Sequence, residues 1–391
     1  MITVSTRVVV VGGKLQGVEA LYLAEKAGME TTLIDKKKNP LGKNFCGRFI
    51  CQDVVQYNTE LIHVLEDADF VLPALEDKEA LAVLTQLAGK YDINLVFDAF
   101  AFGITASKKA SDALMHRQGF PSPQYYPQGD FPYIVKPSGA SCSEGVDKIL
   151  DKKALADFMR EHKEEDWVVE EFLDGPSYSL EVIGTPGAYR TYHVTELFMD
   201  KGYDCKRVCS CPDFPGDLQQ QFEAEAVALA EMVQLHGIMD VEVIEKDGVL
   251  KILEIDARIP SQTPIAVYHA TGWNFMAEMA RIFGKNGFVS HVPRHKPGYV
   301  VLEQIAVDGS EVAVLGEHIL TRAKELHRLY AFCGATEAIT DFVPGKKSWV
   351  ATLIFTGRDK ADLEARLQRF PHELAGLLGQ AICFRDEFPQ A

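Results

Sequence analysis

The sequence predicts a chain that is α/β at its start and α+β beyond, and three observations carry that reading. Strand and helix patterns alternate over the first hundred residues, beginning with the β-branched run Arg7–Val11. Such runs suit parallel strands buried on both faces, so a doubly wound parallel sheet is expected there. From Tyr133 the character changes to antiparallel strands, and 391 residues are too many for one typical domain. Two or three domains follow.

Taken in order, the glycine-rich turn Gly12–Gly17 opens a helix to about Ala27, and Glu30–Ile34 is the next strand, ending at Asp35. Phe70–Pro73 and Leu95–Phe97 repeat the short apolar pattern on either side of a helix over Lys78–Tyr91. A helix over Thr105–Gly119 carries Lys108 and Lys109. Phe120–Pro132, rich in proline and polar residues, reads as a linker. Strands are expected at Tyr133–Lys136, Trp167–Glu171, Ser177–Ile183 and Tyr189–Leu197, then a helix over Leu218–Leu235. Beyond about Gly287 a β-rich tail holds Tyr299–Ala306, Ser348–Phe355 and a helix over Lys360–Phe370.

Composition excludes some classes. A net charge of −16 argues against a nucleic-acid-binding surface, which needs a basic stripe, and suits a cationic small substrate. The first residues run straight into a strand without a secretory leader pattern, and no stretch reaches the apolar length that crosses a membrane. Eight cysteines without a disulfide framework point to a reducing cytoplasm. Cys205, Cys209 and Cys211 match no standard zinc spacing and read as free thiols in a loop. His193, His236 and His269 read as structural.

The richest stretch is Gly237–Pro264, two strands joined by an expected three-residue loop, Lys246-Asp247-Gly248. In that register Asp240 faces Glu254, with Glu242 diagonal to it, and alternation puts Asp240, Glu242, Glu254 and Asp256 on one face. Ile238, Ile244, Leu250 and Ile252 are expected to share that face and half bury it. Opposed like charges destabilise a sheet unless a cation neutralises them. Oxygen-only donors suit Mg²⁺, which shares its shell with water and phosphate. A metal site is favoured over a solvated acidic face.

The glycines at 12, 13 and 17 fit neither the dinucleotide fingerprint nor a Walker A loop. That loop is expected at a ligand crevice, because N–H groups at a helix start can hold an anion, without being the catalytic nucleotide site. Asp35 could meet a ribose hydroxyl there. Lys136 ends an apolar strand and precedes a Ser/Gly loop able to present donors to phosphate. Val168–Leu173 passes from strand to a Gly-Pro turn, where a carboxylate and a carbonyl could read an adenine edge.

In this order and spacing, the segments resemble the ATP-grasp superfamily of carboxylate–amine ligases over nearly the whole chain. Within it the chain looks most like the pyrrolysine-biosynthesis ligases, through Val11–Gly17, Val71–Asp77, Tyr203-Asp204-Cys205 and the motif ending Glu254–Pro264. The resemblance implies an ATP-grasp fold in three parts. These are a Rossmann-like domain over 1–104, a central lobe over 105–190, and a C-terminal lobe with the hairpin and tail over 191–391. It implies ATP and Mg²⁺ as well. Lys108, Lys136, Ser141 and Ser143 would meet the phosphates, and Glu170, Glu171 and Leu173 the adenine edge. Glu242, Glu254 and Asp256 would hold the metal, while Asp240 would either join them or pair with an amine. Arg258 and Lys136 would be catalytic. Ser177 departs from relatives that place an acid there for the ribose.

The implied substrates are small amino acids, a D-ornithine-type carboxylate and L-lysine, with a homodimer compatible. Ser179 and Glu181 would bind the ornithine ammonium. Leu15, Gln16 and Glu76 would hold lysine, and Arg258 and Ser261 would face the carboxylate being activated. A purine-pathway carboxylase or another amino-acid ligase of the superfamily is the alternative. The purine-pathway form would want basic residues where Glu76 and Asp77 stand. A nicotinamide oxidoreductase leaves the acidic hairpin unexplained.

Overall fold

The structure is a computed structural model that describes residues 5–139, 145–162, 166–285 and 296–385. The opening sheet is parallel, as expected, with strand order Arg48–Cys51, Glu30–Asp35, Arg7–Val11, Phe70–Pro73. The half-exposed edge strand Arg48–Cys51 carries no apolar period and was not foreseen. Leu95 makes a single bridge to Val71, so Leu95–Phe97 is not a full strand. Asp98 instead caps the helix Ala99–Thr105 by accepting the N–H groups of Phe100 and Ala101.

Helix Leu15–Lys26 follows the glycine turn. A Cβ at Gly17 would lie 2.1 Å from the Gly12 carbonyl oxygen, so only glycine lets the helix sit this close to the turn. Val18 through Ala24 are all buried, because the helix packs on its own sheet and also against the C-terminal lobe. One continuous core joins Val8, Leu21 and Leu23 to Ile265, Phe275 and Ile339. Each such buried side chain contributes roughly 1.5–3 kcal/mol. At this seam the Tyr22 hydroxyl donates to Glu337 at 2.9 Å and lies 2.7 Å from His269 Nε2, and Lys26 pairs with Glu337 at 2.5 Å.

The central lobe has its own three-stranded antiparallel sheet, Asp147–Ile149, Tyr133–Pro137 and Trp167–Glu171, and a small core around Val135 and Trp167. Beyond it a twelve-stranded sheet takes over. Strand Ser177–Thr185 already pairs within that large sheet ahead of position 190, and Ala188–Thr191, which spans that position, pairs there too. The expected strand Tyr189–Leu197 is two, Ala188–Thr191 and Thr195–Met199, each pairing with a different end of Ser177–Thr185.

Cys205 and Cys209 lie in strand Cys205–Ser210, not in a loop, and burial pushes the Cys209 thiol up to about 12. Helix Gly216–Met232 ends three residues before Leu235. The last helix runs over Lys360–Leu378 and passes Pro371, where a stop was expected, because Phe370 and Leu374 on either side of it pack into the same core. Helices Thr263–Thr271 and Phe275–Phe283 were not foreseen; the first is enclosed on most sides and lacks a clear polar face, while the second is a short amphipathic helix capped by Asn274. Among the described residues, no helix is long and apolar enough to cross a membrane.

Candidate active site

The acidic hairpin, Gly237–Lys246 with Val249–Asp256, turns on two residues rather than three. Asp247 and Gly248 take φ of 54° and 77°, and Lys246 pairs directly with Val249. Such a turn matches the twist of the strands. The register then shifts from Val243↔Ile252 to Glu242↔Glu254, leaving Leu253 as an extra residue in a bulge. Asp240 therefore lies opposite Asp256, and Glu242 opposite Glu254, in place of the Asp240–Glu254 pairing expected from the longer loop.

The bulge also reverses the facing of the strand's start. Leu250 and Ile252 join Val243 and Ile255 in the core under helix Gly216–Met232, away from the acids. All four carboxylates still share one face. Strand Ser177–Thr185 flanks them, with Glu181 beside Asp240 and Ser179 beside Glu242. The Ser179 hydroxyl donates to Asp240 Oδ1 at 2.5 Å.

Burial dominates the electrostatics of this face. It pushes Asp240 up to about 6 and Asp256 up to about 7, with Arg258 pulling each back. Glu242 is raised well above its ordinary value, first by burial and then by Asp240 and Glu254. The cations that meet the acids come from outside the hairpin strands. Lys108 Nζ lies 2.6 Å from Glu254, and Arg258 lies 2.7 Å from Asp256 and 3.0 Å from Glu76.

Among the described residues, no group of three or more His, Cys, Asp and Glu side chains is arranged to hold a metal ion by itself. The donor set still fits a hard divalent cation. Its members are carboxylates only, and Glu242 and Glu254 oppose each other with proton affinity raised at Glu242. A cation shared with phosphate oxygens and water needs no more than that.

In the central lobe Lys136 and Glu170 pair at 2.6 Å with side chains 5% and 4% exposed. Burial works against the Lys136 charge, and the carboxylates of Glu170, Asp112 and Glu254 more than offset it. Glu170 is thus turned inward onto Lys136. Asp112 was missed. It sits one helical turn after Lys108, is buried, and accepts the Tyr125 hydroxyl at 2.9 Å. Glu171 accepts the Gln124 N–H at 3.3 Å, and Leu173 is buried beside this strand end. Ser177 keeps its place in the large sheet beside Ile244. Ser141 and Ser143 lie outside the described residues.

A cavity of about 1140 Å³ separates the carboxyl ends of the opening strands from the hairpin. Ligands of open α/β sheets bind at that end. Leu15, Gln16 and Glu76 form one wall, and the four acids, Arg258 and Ser261 form the other. Gln16 Nε2 donates to Glu76 Oε1 at 2.9 Å, so Glu76 joins both walls through Gln16 and Arg258. Asp35 is committed differently from the expected ribose contact. Its carboxylate accepts the N–H groups of Gly13 at 2.8 Å and Lys37 at 2.7 Å, which pins the glycine loop.

Glu181 is fully buried behind Asp240. Its two carboxylate oxygens make no hydrogen bond of proper geometry among the described residues, and burial followed by Asp240 raises its pKa. Ser261 donates to Glu317 at 2.7 Å, a buried acid that carried no sequence signal because it lies in a short 3-10 turn. His193 and His269 are lowered to about 4 by burial, in keeping with structural roles. His236 donates its backbone N–H to Asp98.

An acidic hairpin beside a lysine-bearing small lobe and a parallel-sheet crevice defines an ATP-grasp ligase, an ATP-dependent enzyme that forms carbon–nitrogen bonds. Residues 105–262 match the ATP-grasp domain family. Among solved structures, the ADP complex of N5-carboxyaminoimidazole ribonucleotide synthetase superposes with a TM-score of 0.69 at 15% identity, over 96% of this chain and 97% of that one. An L-amino acid ligase from Bacillus licheniformis gives 0.65 at 16% identity, over 94% and 98%. Those likenesses are of fold.

The sequence relatives are more specific. The 3-methyl-D-ornithine–L-lysine ligase of Methanosarcina mazei is 34% identical over 358 residues, covering 91% of this chain and 92% of that protein. That of Methanosarcina acetivorans is 35% identical over 357 residues, covering 90% and 93%. The chain belongs to this 3-methyl-D-ornithine–L-lysine ligase family.

Proposed function

We propose that this enzyme joins the carboxylate of 3-methyl-D-ornithine to the ε-amine of L-lysine in pyrrolysine biosynthesis, in the cytoplasm, converting ATP to ADP and phosphate. The observation that carries the substrate class is the cavity wall, where carboxylates outnumber lysines and arginines. Two diamino acids bring four amino groups and two carboxylates into that space. A phosphate-bearing purine-pathway substrate would meet repulsion there.

A free carboxylate resists an amine because its leaving group would be oxide. One of its oxygens first attacks the γ-phosphorus of ATP, the bond to the β-phosphate oxygen breaks, and ADP leaves. The lysine ε-amine, once deprotonated, then attacks the acyl carbon, and phosphate departs with the carbon–oxygen bond pair. Positioning and charge neutralisation do most of the work in such transfers.

In this reading Lys108 and Lys136, with Ser141 and Ser143, meet the phosphates, and Glu171 and Leu173 border the adenine. Arg258 stabilises the transferring group and, with Ser261, orients the carboxylate. Ser179 and Glu181, through Asp240, favour the ornithine ammonium. Leu15, Gln16 and Glu76 hold lysine. Glu242, Glu254 and Asp256, with Asp240 beside them, would hold Mg²⁺, which when bound offsets charge on the phosphoryl oxygens. The working parts are an opening domain, a central lobe and a C-terminal lobe.

The test is direct. The pure protein is incubated with Mg·ATP, 3-methyl-D-ornithine and L-lysine, with ADP followed enzymatically and product by mass. ADP release that needs both amino acids, with a product lighter by one water than their sum, is expected. ADP release that ignores both, or a different required pair, overturns the reading.

A further inference from the structure

Ser261 and Gln262 form a corner of the cavity wall, and the backbone there is strained. Gln262 has φ of 70°, in the left-handed half of backbone space, with ψ of −55°; it is the strained centre of a tight turn in which the Thr263 N–H donates to the Ser261 carbonyl at 2.9 Å, yet it is buried with both ends of its amide engaged. Its Nε2 donates to the Cys205 carbonyl at 3.3 Å, tying it to another part of the same wall. Its Oε1 accepts from Gln304 Nε2 at 3.0 Å, and Gln304 Oε1 accepts the Thr352 hydroxyl at 2.6 Å. Gln304 and Thr352 are cross-strand partners in the large sheet, both buried. The relay therefore runs in one direction, from a sheet hydroxyl through two amides to a wall carbonyl.

Because its amide is used in this way, Gln262 does not cap the helix Thr263–Thr271 that it precedes. Glu19, from the opening domain, accepts the Ile265 N–H at 2.6 Å and supplies that cap from across the seam. The corner is held from both sides. Such rigid support of a strained segment is what a site needs to keep its contact groups in register.

We propose that Gln304 is a positioning residue for the ligation, acting with Thr352 behind it. Through Gln262 it holds the corner in its left-handed conformation and fixes where Ser261 and Arg258 meet the amino-acid carboxylate. This rests on the reading that those two residues face the carboxylate to be activated.

The test uses Gln304→Met and Thr352→Val, which keep volume and remove the hydrogen bonds, with Thr352→Ser as the conservative variant. A stranded buried amide should raise the KM for the D-ornithine-type substrate by about tenfold while the KM for ATP moves by less than about twofold. Thr352→Ser should restore the parental values. A crystal structure of Gln304→Met should show Gln262 relaxed to negative φ. Parental kinetics in Gln304→Met and Thr352→Val, an equal rise in both KM values, or Gln262 still left-handed in Gln304→Met overturns the proposal. If the parent itself does not couple ADP release to these amino acids, the functional reading fails, and the backbone of Gln262 in the variant still decides this one. Should Gln304→Met not fold, the Thr352→Val and Thr352→Ser pair carries both measurements.

Discussion

Two clusters of buried charge stand close together in this molecule and are built on opposite plans. In the central lobe Lys136 meets Glu170 in a direct ion pair, both almost wholly enclosed, and the buried Asp112 acts on the same lysine. On the hairpin four carboxylates share a face, and their cations reach in from the start of the helix Lys108–Gln118 and from the chain just past the hairpin. The first cluster is closed by its own ion pair. The second keeps an excess of negative charge, and burial first, then the neighbouring acids, raise proton affinity at Asp240, Glu242 and Asp256. A cluster that closes on itself serves the fold first, whereas one that does not can be completed by a ligand.

The sharpest way to break that comparison is Glu254→Gln. It removes one hairpin charge and the Lys108 partner, and turnover should drop by about 10³-fold with the fold intact. Turnover within about tenfold of the parent would show that the excess charge is incidental. Next comes Lys136→Met, which strands Glu170 in a dry site and should remove about 3–5 kcal/mol of unfolding free energy in a denaturant titration. Adding Glu170→Met should recover most of the stability but not the activity. If the double variant is no more stable than the single, the pair is not the closed unit described.

The smallest effect concerns pH. Asp240 and Asp256 titrate near 3.8 in the unfolded chain and at about 6 and about 7 when folded. Between those values the folded protein holds protons that the unfolded chain has released. Their contribution to the stability of the ligand-free protein is thus greatest below the unfolded value and should decline as pH rises through about 4 to 8, read as the difference between the parent and an Asp240→Asn, Asp256→Asn double variant. Mg²⁺ with a nonhydrolysable ATP analogue should flatten the decline, since the bound cation takes over from the protons. A ligand-free difference that rises over this range would reverse the assignment.

What the sequence could and could not reveal follows the range of each interaction. That four acids share a face is a local matter of alternation, and it was legible. Their register was not, because it hangs on the Asp247-Gly248 turn and on one extra residue at Leu253. The Asp-Gly pair does carry a two-residue turn signal, but nothing in the sequence announces the bulge. Lys136 and Glu170 both stand out in the sequence as polar residues on apolar strands, whereas their pairing with each other was a tertiary fact. Glu19 and Gln304 were invisible for a related reason. Each lies in a mainly apolar element where it sets no pattern, and each gains its meaning from a partner far along the chain.

The enclosed helix Leu15–Lys26 has an evolutionary consequence. Its Leu21, Tyr22, Leu23 and Ala24 are wholly shielded, and Tyr22 and Lys26 both rely on Glu337 near the far end of the chain. A foreign opening module grafted onto this body would leave Glu337 without those partners and bare a broad oily surface. Changes in this end of the cavity should therefore arise by point substitutions at lining residues such as Leu15, Gln16 and Glu76, on a chassis inherited whole, and not by shuffling of modules.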